Sequence, residues 1–401
     1  MTAATEQHVP YLDITRPGFD FTGAEIAAAR EAHWYAHTPL GVLILRHADV
    51  HHLLRDRRFD QDGRGYLALL GLTEGDVHEW FVSLMVNRRG ADHTRLRAPL
   101  NAAFAPAAVE RRAEVIDATV ARLLDGMLSG EDDFVRGFAD PLPVAVMCDL
   151  LGVPAADAGI FARWTTDLGL VFTISTYPDA LDRVRTALAG LRGYVADLIA
   201  GQRDERVDDV ISLLLAAQRA GHPITDQDIE DLVVGLLFAG HDTTRNQFGQ
   251  AMVTWCEHPA QWDRLGGHPD LAPSAVDEVL RWRTAVPTAF RFAYEPVDYQ
   301  GLHIPTGTFV MLCLQSAHHD PRVFAAPERF DIARTTGPLL QTFGAGPHYC
   351  LGTALARAEF IRAFRALATA CAPPVPAGPV EWRSTFGICG PESLPVRLVR
   401  R

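Results

Sequence analysis

The stretch FGAGPHYCLGTALAR, residues 343–357, places one cysteine, Cys350, between a glycine-bearing turn and the start of a helix. Gly344 and Gly346 admit backbone conformations closed to side chains and allow close approach to a neighbour. Pro347 stiffens the turn. TALARAEFIRAFRAL, residues 353–367, then combines strong helix formers with apolar residues at three- and four-residue spacing. Cys350 therefore falls near a helix N-terminus, where free N–H groups and the helix dipole favour a thiolate. A turn that points N–H groups at a sulfur suits a metal-bound thiolate whose charge is held yet moderated. By themselves these residues leave an inert buried cysteine open as the alternative. A dinucleotide loop fits less well, because GAGPHY lacks the third glycine and Pro347 spoils the N–H cradle. Zinc would require a companion pair for His348 and Cys350 at suitable spacing, and there is none.

The surrounding chain bounds the answer. Its 401 residues imply one unusually large core or two domains, and 48% of them are apolar. Helical periodicity dominates about 90–285 and 350–370, and short strands are expected at about 40–60, 290–315 and 380–400. These parts interdigitate, so a single unit over residues 1–401, mainly α with a smaller β region, is expected. The stretch TTDLGLVFTISTYPDAL, 165–181, breaks the periodicity and reads as a helix–loop–helix lid. A formal net charge of -12 argues against nucleic acid as a partner. No run approaches the roughly 18 to 20 apolar residues that span a bilayer. The opening MTAATEQHVPYLDITRPGFDF has no basic and apolar leader pattern, so neither signal nor anchor is expected. The six cysteines, at 148, 256, 313, 350, 371 and 389, form no CxxC pair, which suits reduced thiols in a cytoplasm.

A second anomaly lies in PITDQDIEDLVVGLLFAGHDTTRNQFGQAMVTWCEHP, residues 223–259. Thr225 and Asp228 form a capping signal and Pro259 a stop, giving a helix of about 32 residues, or about 48 Å. Within its apolar run LVVGLLFAG, the segment Ala239-Gly240-His241-Asp242-Thr243-Thr244 turns polar, which is costly in a core unless paired or hydrated. Gly240 weakens the helix there and Thr243 can divert a carbonyl, so a local bulge or kink is expected. A solvated polar stripe leaving the core is the alternative reading.

Phe343, Gly344, Gly346, His348, Cys350, Gly352 and Ala356-Arg357 together resemble the haem-ligand loop F-G-x-G-x-H-x-C-x-G-x-x-x-A-R of the cytochrome P450 family. The resemblance runs from about His93 to the C-terminal LPVR. It implies the P450 fold with a long central helix over haem, and Cys350 as the axial thiolate of a b-type haem. A thiolate ligand pushes electron density toward iron and favours O–O cleavage. In the same resemblance, AGHDTT matches the acid–alcohol pair of the oxygen pocket, with Asp242 relaying protons and Thr243 holding water near bound oxygen. Glu278 and Arg281 in DEVLRW match E-x-x-R, a structural lock completed by Arg329 of PERF. His93 and Arg97 in HTRLR, with Arg291 and His348, are implied to hold the haem propionates; the preceding RRGAD departs from the family's usual D-P-P-E. The pocket is expected to be lined by the loop 60–88, by 168–176, by Leu236 and Ala239, by Val286, Thr288, Ala289 and Phe290, and by 386–388 including Ile388.

The resemblance implies an O2-dependent monooxygenase for a medium-sized hydrophobic small molecule, acting in bacterial secondary metabolism. Catabolism of a small terpene or aromatic acid is the alternative. Electrons from NAD(P)H would come through a ferredoxin and its reductase, docked on a local basic patch of Arg95, Arg357, Arg362 and Arg365. Arg88 and Arg89 could meet an acidic group of the substrate or its carrier. A monomer without membrane contact is expected. A non-catalytic haem sensor and a Cys–His hydrolase using Cys350 are the readings from other classes.

Overall fold

Thr225 opens the longest helix with a reciprocal capping box: its hydroxyl accepts from Asp228 N at 3.0 Å, and its own N–H donates to the Asp228 carboxylate at 2.8 Å. The helix runs Asp226–Glu257, 32 residues, and Pro259 begins the next helix, Pro259–Gly267, where a missing N–H is harmless. The computed structural model describes residues 9–16, 18–173, 179–202, 209–335, 339–383 and 387–401. Helices Pro141–Leu151, Ala158–Leu168, Ala180–Gln202 and Thr353–Ala370 pack on this central helix.

The expected bulge at Gly240 does not form; the helix continues unbroken. A Cβ at position 240 would lie 2.5 Å from Met147 Sδ. Gly240 is there so that helix Pro141–Leu151 can approach closely. Thr243 does turn its hydroxyl on a carbonyl, donating to Ala239 O at 2.8 Å, without breaking the ladder.

The β-structure is smaller. Five strands lie side by side in the order Tyr35–Thr38, Gly41–Ile44, Phe309–Cys313, Thr288–Ala293 and Phe59–Asp60. Gly41–Ile44 and Phe309–Cys313 run parallel, with Val42 opposite Val310; the other pairings are antiparallel. Phe309–Cys313 is buried along its whole length, as a central strand requires. Three two-stranded ribbons complete the set, among them Val297–Tyr299 with Leu302–Ile304. Their turn, Gln300-Gly301, has both residues at positive φ, 46° and 84°, the geometry that matches strand twist. The expected β-region at 40–60 starts earlier, at Tyr35, and contains the helix His47–Leu53, because HADVHHL has helical rather than alternating periodicity.

The lid segment 165–181 divides among the end of helix Ala158–Leu168, a 3-10 turn Gly169–Thr173 and the start of helix Ala180–Gln202; 174–178 lie outside the described residues. Among the described residues no helix is long and apolar enough to cross a membrane.

Candidate functional site: a cysteine loop and the central helix

Gly344 and Gly346, both at φ 70°, shape the turn before Cys350. Cys350 N donates to Phe343 O at 2.9 Å, and Thr353 Oγ1 donates to Cys350 O at 2.8 Å, fixing the cysteine two residues before the N-cap, Gly352. Phe343 packs on the main core. Cys350 is exposed at its residue surface, yet the protein around its sulfur is dense. Both hold for a side chain on the wall of a concavity. Burial pushes the thiol up from its ordinary value; the Gly352 N–H, the Thr353 hydroxyl and the Arg97 charge pull the other way. Those same three groups favour a thiolate once a cation binds the sulfur.

The cations expected around a propionate come together. His93 and His348 have ring centroids 4.5 Å apart. Arg291 is 4% exposed, and burial takes its guanidinium down to about 10 against the opposing charge of Asp60. Arg97 donates to Tyr349 O at 2.6 Å, beside the cysteine. His93 is pushed down to about 4 by burial and then by the charges of His348 and Arg97. One member escaped the sequence reading: Asp60, whose Oδ1 lies 2.6 Å from His348 Nε2. Nothing local in FDQD marks it.

This donor set fits a large dianionic group. His348 Nδ1 is buried with no partner among the described residues, and Arg291 uses Nη1 on the Phe290 carbonyl. Buried donors of this kind call for an acceptor. A porphyrin with two carboxylates and an iron for the Cys350 sulfur supplies what these residues lack.

Along the central helix the accessible surface is selective. Ala239 is exposed and Thr243 half-buried, one turn apart, in a stretch whose neighbours Leu237, Phe238, His241, Asp242 and Thr244 are buried. Asp242 has no accessible surface. Both of its oxygens accept from Arg383 Nη1, at 2.7 and 2.9 Å, and Oδ1 also accepts from Asn246 Nδ2 at 3.1 Å. Arg383 and Asn246 were missed: Arg383 lies 141 positions away in an expected strand, and no pattern in EWRSTFG announces it.

Of the expected pocket residues, Val286, Thr288, Ala289, Phe290 and Ile388 are half-buried, whereas Leu236 is 9% exposed and Leu168 0%. The stretch 60–88, expected as a loop, instead holds the helices Gly63–Leu69 and Asp76–Ser83; Tyr66 on the first stacks on Phe290, centroids 4.6 Å apart, and Phe172 meets Tyr66 edge-on at 6.0 Å. Phe386 and 174–176 lie outside the described residues.

The structural lock needs a correction. Glu278 and Arg281 are fully buried and paired through two bonds, 2.8 and 2.9 Å. The second cation on Glu278 is Arg334, whose Nε lies 3.0 Å from Oε2. Arg329 gives only its carbonyl to Arg281, at 3.2 Å, and its side chain is 69% exposed. The cause is the tight turn Ala326–Arg329, which directs the Arg329 side chain outward while the chain returns Arg334 inward.

The basic patch is largely neutralised. Arg95 pairs with Asp228 and Asp92, Arg357 with Asp277, and Arg362 with Asp117 and Glu110; Arg365 donates to Pro269 O. Arg88 and Arg89 are likewise occupied. Arg88 donates to Ser83 O, and Arg89 pairs with Asp60 and lies over the Tyr294 ring at 3.1 Å. Cys350 has no histidine partner among the described residues, so a Cys–His nucleophile is not assembled.

A helix-rich fold whose longest helix carries an acid–alcohol pair, together with a cysteine loop and a buried cation cradle, defines the class of haem-thiolate proteins. A cytochrome P450 family model matches residues 270–367. Luteothin monooxygenase of Streptomyces thioluteus is 40% identical over 99% of this chain and 98% of its own. Cytochrome P450 monooxygenase PikC of Streptomyces venezuelae is 34% identical, covering 98% and 95%. The crystal structure of CalO2 superposes with a TM-score of 0.87 at 30% identity, covering 96% of this chain and 100% of that one. The chain belongs to the cytochrome P450 family, and it is a P450 monooxygenase. The sensor and hydrolase readings fall with that result. The family implies a haem iron cofactor, redox partners that supply electrons and a hydrophobic substrate.

Proposed function

We propose that this monooxygenase oxidises a medium-sized hydrophobic metabolite of the polyketide kind in bacterial secondary metabolism, in the cytoplasm, as a single catalytic unit spanning residues 1–401. The observation that carries the reading is the accessible Ala239–Thr243 stripe, with the buried Asp242 directly behind it on an otherwise buried helix. Such a stripe offers apolar wall and one hydroxyl to a ligand, the mixture expected of a small-molecule pocket. A relative supports the same reading: the polyketide biosynthesis cytochrome P450 PksS of Bacillus subtilis is 32% identical, covering 89% of this chain and 88% of its own.

Cys350 holds the iron of haem b, and His93, Arg97, Arg291 and His348 hold its propionates. When bound, haem supplies dioxygen binding and reductive activation. Thr243 spends its hydroxyl proton on Ala239 O, so its lone pairs face the pocket and accept a hydrogen bond from water there. Asp242 hands protons into that pocket. Leu236, Ala239, Val286, Thr288, Ala289, Phe290 and Ile388 orient the substrate and exclude bulk water. Electrons from NAD(P)H arrive through a ferredoxin and its reductase. The docking face is the cleft of about 730 Å³ beside Cys350, whose lining includes Arg97, Tyr349, Leu351, Ile361 and Arg365. Two of its four arginines, Arg357 and Arg362, are paired to acids, so this face binds through shape and apolar contact together with the remaining positive charge of Arg97 and Arg365.

The test is a substrate-binding difference spectrum against a library of polyketides, terpenes and aromatic acids, followed by turnover with NADPH, ferredoxin and reductase. Polyketides should give the largest shift and a product carrying one added oxygen. A small terpene or aromatic acid that binds and turns over better would replace the reading with the catabolic one.

A further inference from the structure

Aromatic side chains gather along one side of the proposed pocket. Phe238 of the central helix stacks on Phe172 of the turn Gly169–Thr173, centroids 6.1 Å apart. Phe172 meets Tyr66 edge-on at 6.0 Å, and Tyr66 stacks on Phe290 of the strand Thr288–Ala293 at 4.6 Å. Four rings thus run in sequence from the central helix to the strand. Phe81 backs them, 5.9 Å from Tyr66 and 6.0 Å from Phe172. The other residues assigned to this pocket, Leu236, Ala239, Val286, Thr288, Ala289 and Ile388, are small or aliphatic.

This wall is firmly mounted yet not sealed, since Phe172 and Phe290 are half-buried. Asp62 caps the helix Gly63–Leu69, its Oδ1 accepting from Arg64 N and Gly65 N at 3.0 and 3.1 Å. A Cβ at position 65 would lie 3.0 Å from the Phe292 ring, so glycine lets this helix close on the strand. A Cβ at position 387 would lie 2.8 Å from Phe172 Cβ, and glycine there, at φ 87°, seats the Phe172 ring.

Tyr66 carries a group that packing does not require. It is 3% exposed, and burial pushes its phenol up with no hydrogen bond or charge acting on it. Trp80 Nε1, in the same aromatic cluster, is enclosed without a partner. The Tyr66 oxygen also lacks a partner among the described residues but is not enclosed in that way, so the little surface Tyr66 keeps reaches its hydroxyl. Phenylalanine would give the same stacking without taking an O–H out of water. A neutral phenol with its donor unspent calls for an acceptor, and rings held in fixed planes favour a flat guest over a puckered one.

We propose that this wall selects substrates bearing a flat, conjugated ring with an acceptor oxygen such as a ring carbonyl, and that Tyr66 is the specificity-determining residue that donates to that oxygen. The inference rests on the reading of this pocket as the substrate site of a polyketide monooxygenase. It narrows that class to members with a planar, oxygen-bearing ring.

The test titrates the ferric holoenzyme with three probes and reads affinity from the substrate-binding difference spectrum. Flavone is flat and carries a ring carbonyl, 2-phenylnaphthalene has a similar flat outline without oxygen, and 2-cyclohexyldecalin is its saturated counterpart. Flavone should bind about tenfold more tightly than 2-phenylnaphthalene, and 2-phenylnaphthalene about threefold more tightly than the saturated hydrocarbon. Tyr66→Phe should erase the first preference and keep the second. Phe172→Leu should do the reverse, a crossing that general loosening of the pocket does not produce. Haem content should match the parent in both variants. A Tyr66→Phe protein that still prefers flavone overturns the proposal, as does one that loses haem, which would give the hydroxyl to a propionate. Absence of a spectral shift with all three probes overturns it too. If the best polyketide substrate has no flat ring and binds Tyr66→Phe as well as the parent, this inference falls while the polyketide reading stands. A saturated terpene as best substrate ends both.

Discussion

The cysteine side and the central-helix side of this site are built by different strategies. On the cysteine side, one contiguous segment of 15 residues supplies the turn, the cysteine and the start of the supporting helix; hydrogen bonds spanning three to seven positions shape the turn itself, and Arg97 on Tyr349 O and Asp60 on His348 brace it from far along the chain. On the central-helix side, a single helical turn is held by residues far along the chain: Asp140, Thr165 and Arg383 reach His241 and Asp242 across 101, 76 and 141 positions. The first keeps the shape of its turn within one segment and needs distant residues only at Tyr349 and His348. The second depends on the whole tertiary arrangement, and a change in any of its supporting elements reaches Asp242.

Substitutions put that contrast at risk, beginning where the consequence is greatest. Cys350→Ser should abolish the red-shifted Soret band of the ferrous–carbon monoxide form; a band that survives places the ligand elsewhere. Arg281→Ala strands the fully buried Glu278 carboxylate beside Arg334 alone and should cost about 3–5 kcal/mol in chemical unfolding. A loss near zero would mean that Arg334 suffices. Gly169→Ala pushes a methyl group against Asp242 and should cost about 1–3 kcal/mol while increasing the peroxide released per NADH. Unchanged coupling would show that the acid tolerates displacement.

A fourth prediction concerns Glu359, on the helix that follows Cys350. Burial lifts its carboxyl to about 8 from an ordinary 4.5, and its Oε2 has no partner among the described residues. The folded state then binds more protons than the unfolded one between those two values. Stability should fall as pH rises through that window, by up to about 1.4 kcal/mol per unit, and level off above it. Glu359→Gln should flatten the profile measured by thermal unfolding; an unchanged slope assigns it to other groups. The smallest effect is expected of Arg329→Ala, within about 0.5 kcal/mol of the parent, because its side chain is mostly solvated.

Legibility in the sequence followed the same division. The capped central helix, the cysteine turn and the β-poor, helix-rich architecture rest on local signals: a Thr-x-x-Asp cap, glycines at fixed offsets, periodicity. Arg329 was assigned to Glu278 by its position in PERF, but the turn after Ala326 hands the role to Arg334, five residues on. Gly240 suggested a bulge when it accommodates Met147, since a glycine looks the same whether it frees the backbone or admits a neighbour. Asn246, four residues after Asp242 on the same helix, was within reach of the i,i+4 spacing rule, whereas Arg383 and Asp60 left no trace. Ion pairs between distant segments have no spacing rule, and one sequence supplies no covariation to reveal them.

From Thr244 to Trp255 every residue of the central helix is buried, whichever way its side chain points. A rod gripped on all sides can neither slide nor roll without tearing contacts around its full circumference, so it serves as the fixed ruler of the molecule. In the proposed pocket, differences in guest size would then fall to the opposite walls, the turn at Gly169–Thr173 and the strand Thr288–Ala293. Altering what this enzyme accepts is therefore a matter of moving those walls, and the ruler should be left alone.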